Sequence, residues 1–154
     1  MDRDEFVSCR YIGDKKYLEK EKHGLADLEE IVEILRTHCP WDREQSVESL
    51  KTTVRDEALE VIGAIDQDDA DNLCEELGDL LFQIVFMSCI ASEKGLFDLD
   101  DVVQGISDKM IRRHPHVFGD IEVKSREEIH ALWKEVKAAE KAEKACRTKR
   151  SIQS

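Results

Sequence analysis

The run from Leu80 to Ala91, LLFQIVFMSCIA, is apolar almost all the way round a helix. It is about 12 residues long where a bilayer span needs about 20, so it reads as a buried core helix rather than a membrane segment. Such a helix must be covered on more than one side. Flanking helices of the same chain supply part of that cover. A two-fold partner chain is the simpler source of the rest, which predicts a homodimer or a dimer of dimers.

The chain has 154 residues, enough for one domain. Only two prolines and seven glycines interrupt it, and helix-forming residues dominate. This composition predicts an all-α helical bundle. The stripe Leu25, Leu28, Ile31, Val32, Leu35 marks a first helix over 25–38, which Cys39-Pro40 closes because the residue before proline disfavours the α region. After the short loop CPWDREQ, Ser46 is an N-cap for a second helix that carries Val47 to Ile65 and ends near Asp66. A third runs from about Asp69 to Glu93, capped by the DQDDAD cluster and stopped at Lys94-Gly95. A fourth follows Asp98 and breaks at His114-Pro115, and the last opens with the capping-box pattern Ser125 to Glu128. The expected organisation is a polar arm over 1–24, the folded domain over 25–140, and a basic, frayed tail over 141–154.

The formal charge of −12 argues against general binding to nucleic acid, which calls for a basic face. An anionic ligand then needs metal to neutralise it. Five cysteines at irregular spacings, with no CxxC pair, give neither a disulfide framework nor a zinc site. With no apolar stretch of signal-peptide length at the start, the expected location is the reducing cytoplasm.

Glu57 and Glu60 stand three apart on the second helix, and Glu76 and Asp79 three apart on the third, so each pair projects from one face. The short DQDD connection makes the two helices an antiparallel hairpin that brings the four together. Taken alone, an ExxE or ExxD is usually a solvated face. Here Glu57 interrupts Leu50, Val54, Val61, while Glu76 falls between Leu73 and Leu80 and Asp79 precedes Phe82 and Phe86, so the acids border the core. Crowded carboxylates near a low-dielectric interior require proton uptake or a cation. All-oxygen donors without adjacent Cys or His favour Mg²⁺, with Mn²⁺ as a substitute, over zinc.

The segments CPWDREQ, DEALE, EELGDLLFQIVF, FDLDDVV and SDKMIRRHPHVFGD, followed by the Trp133 helix, resemble the MazG family of nucleoside triphosphate pyrophosphohydrolases over roughly Leu25 to Lys137. That resemblance implies an α-helical dimer, Mg²⁺ dependence, and cleavage of a nucleoside triphosphate to monophosphate and pyrophosphate. It carries the metal ligands over to Glu57, Glu60, Glu76 and Asp79. Glu57 or Glu60 is the candidate proton acceptor for the attacking water, and the sequence does not choose between them. Asp56 departs from the pattern, being one methylene shorter than the usual Glu.

Lys109 and Arg113 are an i,i+4 pair suited to β- and γ-phosphates. Complementing the helix dipole is the ordinary reading of such a pair, and the resemblance favours phosphate for these two but not for Arg112. Trp133 and Lys137 resemble family positions at the edge of the nucleotide pocket, although an indole beside Leu132 is commonly core. Trp41 reads as a packed loop anchor. His114 and His116 flank a proline that sets the chain's exit from the helix, and no cysteine has a local base. A narrower-substrate relative acting on dCTP, dUTP or phosphoribosyl-ATP, and a weakly catalytic nucleotide-binding module, are the alternative readings.

Overall fold

The computed structural model describes residues 16–145 and contains helices but no strand among them. Eight helices follow in order: α1 Lys16–Glu19, α2 Leu25–His38, α3 Pro40–Glu44, α4 Lys51–Asp66, α5 Ala70–Glu93, α6 Leu99–Arg113, α7 Pro115–Phe118 and α8 Arg126–Ala145. The all-α class expected from composition is what forms. Where one continuous bundle is expected, the described residues group into two compact units, α1–α5 and α6–α8. Among the described residues no helix is long and apolar enough to cross a membrane.

In the first unit, α5 packs against both α4 and α2. Its buried positions Val85, Phe86, Ile90 and Ala91 meet a core that also takes Val32 from α2, Ala64 from α4 and Leu50 just before it. The two polar residues buried on α5 are Gln83 and Ser88, and the Ser88 hydroxyl donates to the Ile84 carbonyl four residues back at 2.9 Å. Such back-bonding lets a hydroxyl sit inside a core. The termini of α5 follow the local chemistry. Asp69 accepts from the Asn72 amide at 3.0 Å, and Gly95 takes the left-handed conformation, φ 65°, just past the end.

CPWDREQ, expected as a loop, is instead largely helix α3, with Pro40 at its first turn and Cys39 extended before it. The cause is tertiary. Arg36 Nη1 donates to the carbonyls of Asp42, Arg43 and Gln45 at 2.5, 3.1 and 3.0 Å, satisfying the open end of α3, while its Nε and Nη2 fork onto Glu93 at 2.7 and 2.5 Å. One guanidinium thereby joins α2, α3 and α5. Ser46, expected as the N-cap of this helix, exchanges hydroxyl and amide hydrogen bonds with Ser49 but opens only a turn, and α4 begins at Lys51 with Leu50 at its N-cap. Part of the region expected as a polar arm is α1, tied to α2 by the ion pair of Lys16 with Glu30 at 2.8 Å. Residues 1–15 lie outside the described residues.

In the second unit, α6 packs with α7 and α8. Asp98 and Asp101 form a reciprocal capping box at 2.9 and 3.2 Å. At α8 the expected box is half realised: Ser125 accepts from the Glu128 amide at 3.2 Å, but the Glu128 carboxylate reaches the Lys124 amide at 2.7 Å. Helix α8 persists to Ala145, past the expected start of the tail at 141, because its Ala, Glu and Lys residues favour helix even without an apolar stripe. Residues 146–154 of that tail lie outside the described residues.

Arg36→Ala leaves Glu93 without its partner and three carbonyls unsatisfied. The expected loss is about 1–3 kcal/mol, read as a lowered midpoint in urea unfolding followed by circular dichroism.

Candidate functional site

The connection between α4 and α5 is only Gln67 to Asp69, with Asp68 at a positive φ of 53° that a short polar side chain tolerates. This tight turn folds the two helices against each other and sets Glu57 and Glu60 of α4 facing Glu76 and Asp79 of α5. One carboxylate oxygen from each of Glu57, Glu76 and Asp79 can be chosen so that all three lie within 4.8 Å of one another. Glu60 stands beside this trio, close enough to Glu76 to raise its carboxyl. All four acids expected from the sequence therefore come together.

Electrostatics records the crowding. Loss of hydration raises the Glu57 carboxyl above its ordinary range, and the charges of Asp79, Glu60 and Asp56 raise it further. Glu76 is raised likewise, first by lost hydration, then by Glu60 beside it and by the charges of Asp79 and Glu75. Asp56, the position that departs from the family pattern, turns to Arg55, which donates to it from Nε and Nη2 at 2.9 and 2.8 Å. It adds negative potential at Glu57 without joining the trio. A purely carboxylate donor set with no sulfur or imidazole fits a hard divalent cation.

In the second unit, Lys109 lines a concavity of about 250 Å³ together with Asp108, Arg112, Glu140, Glu143 and Lys144. Arg113 is held by Glu140, whose Oε2 accepts from Nη2 and Nε at 2.6 and 3.1 Å. Arg112 is held by the same carboxylate, donating to Oε1 from Nη2 and Nε at 2.7 and 3.0 Å. Sequence reasoning passed over Glu140. The signal was available, because Glu140 continues the stripe Ile129, Trp133, Val136 at helical spacing and so is an acid on an apolar face, as Glu57 and Glu76 are.

Trp133 is half-buried and lines a separate concavity of about 370 Å³ with His116, Arg126, Ile129 and His130. His114 and His130 each meet its ring edge-on at 5.6 Å. It is therefore neither plain core nor free surface. Lys137 is exposed on α8. Trp41 corrects an expectation: it is 74% exposed and is not a packed anchor. His114 serves conformation, its Nδ1 lying 2.6 Å from the Met110 carbonyl at the end of α6. Burial pushes the Cys89 thiol up to about 11, unlike a nucleophile.

A family model described as the MazG nucleotide pyrophosphohydrolase domain matches residues 45–118, a stretch holding all four acids, Lys109 and Arg113. The crystal structure of a mazG-related protein from Thermotoga maritima superposes with a TM-score of 0.65 at 32% identity, over 74% of this chain and 99% of that one. The chain belongs to the MazG family. Among longer relatives, the nucleoside triphosphate pyrophosphohydrolase of Escherichia coli K12 is 47% identical over 70% of this chain and 41% of its own length. A Thermotoga maritima protein named nucleoside triphosphate pyrophosphohydrolase/pyrophosphatase MazG is 46% identical over 77% of this chain and 46% of its own. The chain thus spans less than half the length of these two. Trp133, Lys137 and Glu140 lie beyond the matched MazG segment.

A carboxyl raised in the folded state destabilises that state once ionised. The metal-free protein should therefore lose stability as pH rises from the ordinary carboxylate range through the raised values of Glu57 and Glu76. Glu76→Gln is expected to raise the metal-free melting temperature at neutral pH and to diminish the further rise on adding Mg²⁺, both measured by thermal-shift titration.

Proposed function

We propose that this chain is a Mg²⁺-dependent nucleoside triphosphate pyrophosphohydrolase that converts NTPs or dNTPs to the monophosphate and pyrophosphate. The observation that carries this is the trio of carboxylate oxygens within 4.8 Å on two adjoining helices, in a member of the MazG family. The names of the longer relatives support the reaction class.

Glu57, Glu60, Glu76 and Asp79 hold the cation. Bound Mg²⁺, or Mn²⁺ in its place, supplies neutralisation of triphosphate charge and polarisation of the phosphate oxygens. Water attacks the α-phosphorus, the bond from that phosphorus to the bridging oxygen breaks, and pyrophosphate departs with the electron pair. The water proton passes to a carboxylate. Of Glu57 and Glu60, Glu60 stands outside the close trio, which supports it as the acceptor. Lys109 and Arg113 contact the β- and γ-phosphates, Trp133 packs against the base, and Lys137 adds a further ammonium for phosphate. The role that follows is control of the nucleotide pool in the cytoplasm.

The same reading includes a second copy of the chain. On α4 Leu59, Ile62 and Ile65, and on α5 Leu77, Leu81 and Ile84, each stay more than a third exposed, a set of large apolar side chains that a homodimer or dimer of dimers covers. Light scattering on the eluting protein is expected to give twice or four times the 17.7 kDa chain mass, and a clean monomer contradicts the assembly.

Incubation with each common NTP and dNTP plus Mg²⁺, with products separated by ion exchange, tests the reaction. Monophosphate and pyrophosphate are expected. Diphosphate and orthophosphate would overturn the reaction class, turnover confined to dCTP or dUTP would narrow the substrate, and nucleotide binding without pyrophosphate would leave a binding module. Asp79→Ala is expected to lower turnover by at least about a hundredfold with an unchanged helical spectrum.

A further inference from the structure

Glu140 is buried, with 7% of its surface exposed, beneath two guanidiniums that are not: the side chain of Arg112 is 50% exposed and that of Arg113 26%. Each arginine spends the same edge on it, Nε and Nη2, and the carboxylate divides between them, Oε1 mainly to Arg112 and Oε2 mainly to Arg113. A guanidinium has five donors in a fixed fork, so binding along this edge leaves Nη1 unused. Neither Nη1 has a hydrogen bond among the described residues. One acid under two bases leaves a net positive charge, and adjacent Arg112 and Arg113 are held together although like charges repel. A staple between α6 and α8 needs only one arginine, yet two partly exposed guanidiniums share this single buried acid.

We infer that Glu140 is a positioning residue that sets Arg112 and Arg113 side by side as one anion-binding fork for the polyphosphate of the substrate. This makes Arg112 a ligand alongside Arg113. The inference rests on the proposed triphosphate contact of Arg113, and it extends the site to an acid and a second arginine. The Glu140 carboxyl is held down to about 2, first by the Arg113 hydrogen bonds and then by those of Arg112, so it stays ionised whenever the protein is folded near neutrality. Lys109 and Lys144 share the adjoining concavity with Asp108 and Glu143, so the neighbourhood is near charge balance and the fork is its source of net attraction.

The test is calorimetric binding of inorganic tripolyphosphate in Mg²⁺ to the full chain, which needs no turnover, beside steady-state kinetics with nucleoside triphosphate. Glu140→Gln keeps the shape and removes the charge that orients both arginines. Affinity for tripolyphosphate is expected to fall at least about tenfold, the scale of one charge-assisted hydrogen bond. KM is expected to rise in parallel with kcat little changed, and Glu140→Asp to recover part of the loss. Unaltered affinity in a Glu140→Gln protein with wild-type helicity would overturn the inference and leave Glu140 a staple. If that variant does not fold, Arg112→Gln decides: severalfold weaker tripolyphosphate binding supports the fork, and wild-type binding overturns it. Absence of tripolyphosphate binding by the wild-type protein also overturns it. Wild-type binding without hydrolysis of any nucleotide instead overturns the proposed activity and leaves the fork standing.

Discussion

The structure turns on the repulsion among four carboxylates that the α4–α5 hairpin does not allow to separate. Val85, Phe86, Ile90 and Ala91 fix α5 in the core, and the three-residue turn after Asp66 fixes α4 beside it. Glu57, Glu76 and Asp79 are then brought within 4.8 Å by helices whose register is set by apolar burial. The leading charges acting on Glu57 and Glu76 are those of neighbouring carboxylates, and each raises the carboxyl. The fold supplies the geometry and leaves the charge balance to be completed from outside.

Glu140 shows the opposite solution to the same problem. It is more buried than any of the four acids, yet its carboxyl is depressed where those of Glu57 and Glu76 are raised, because Arg112 and Arg113 complete it from within the chain. Burial alone does not set the direction of the shift. The sign of the neighbours does. Arg36 follows the internal pattern as well, joining α2 to Glu93 of α5 while its third nitrogen closes α3.

Where elements are set by local chemistry, the sequence showed them plainly. Asp69 and Asp98 cap α5 and α6 as their positions suggest, Gly95 ends α5, and prolines at 40 and 115 bound α2 and α6. Elements set by contacts between helices were not legible. Helix α3 depends on Arg36, which is close in sequence but on another helix, and helix propensity does not show that its guanidinium turns back onto the carbonyls of Asp42, Arg43 and Gln45. The exposure of Trp41 depends on how α3 is docked, and a Pro-Trp pair alone does not reveal it. The acids were legible because Glu57, Glu76 and Asp79 interrupt or border apolar stripes and Glu60 stands three residues from Glu57 on the same helix. Glu140 breaks one too, but its partners lie on another helix 27 and 28 residues away, and only the fold brings them to it.

A divalent cation held by these crowded acids, as proposed, must displace their protons, and proton release reads it directly. Mn²⁺ titrated into the metal-free protein by calorimetry, in two buffers of different ionisation enthalpy, counts the protons displaced on binding. Because Glu57 and Glu76 are raised, binding at mildly acid pH should expel protons, and the number should fall towards zero as pH rises past their values. Binding with no proton release at any pH, or proton release that survives replacement of both glutamates by glutamine, would contradict the account.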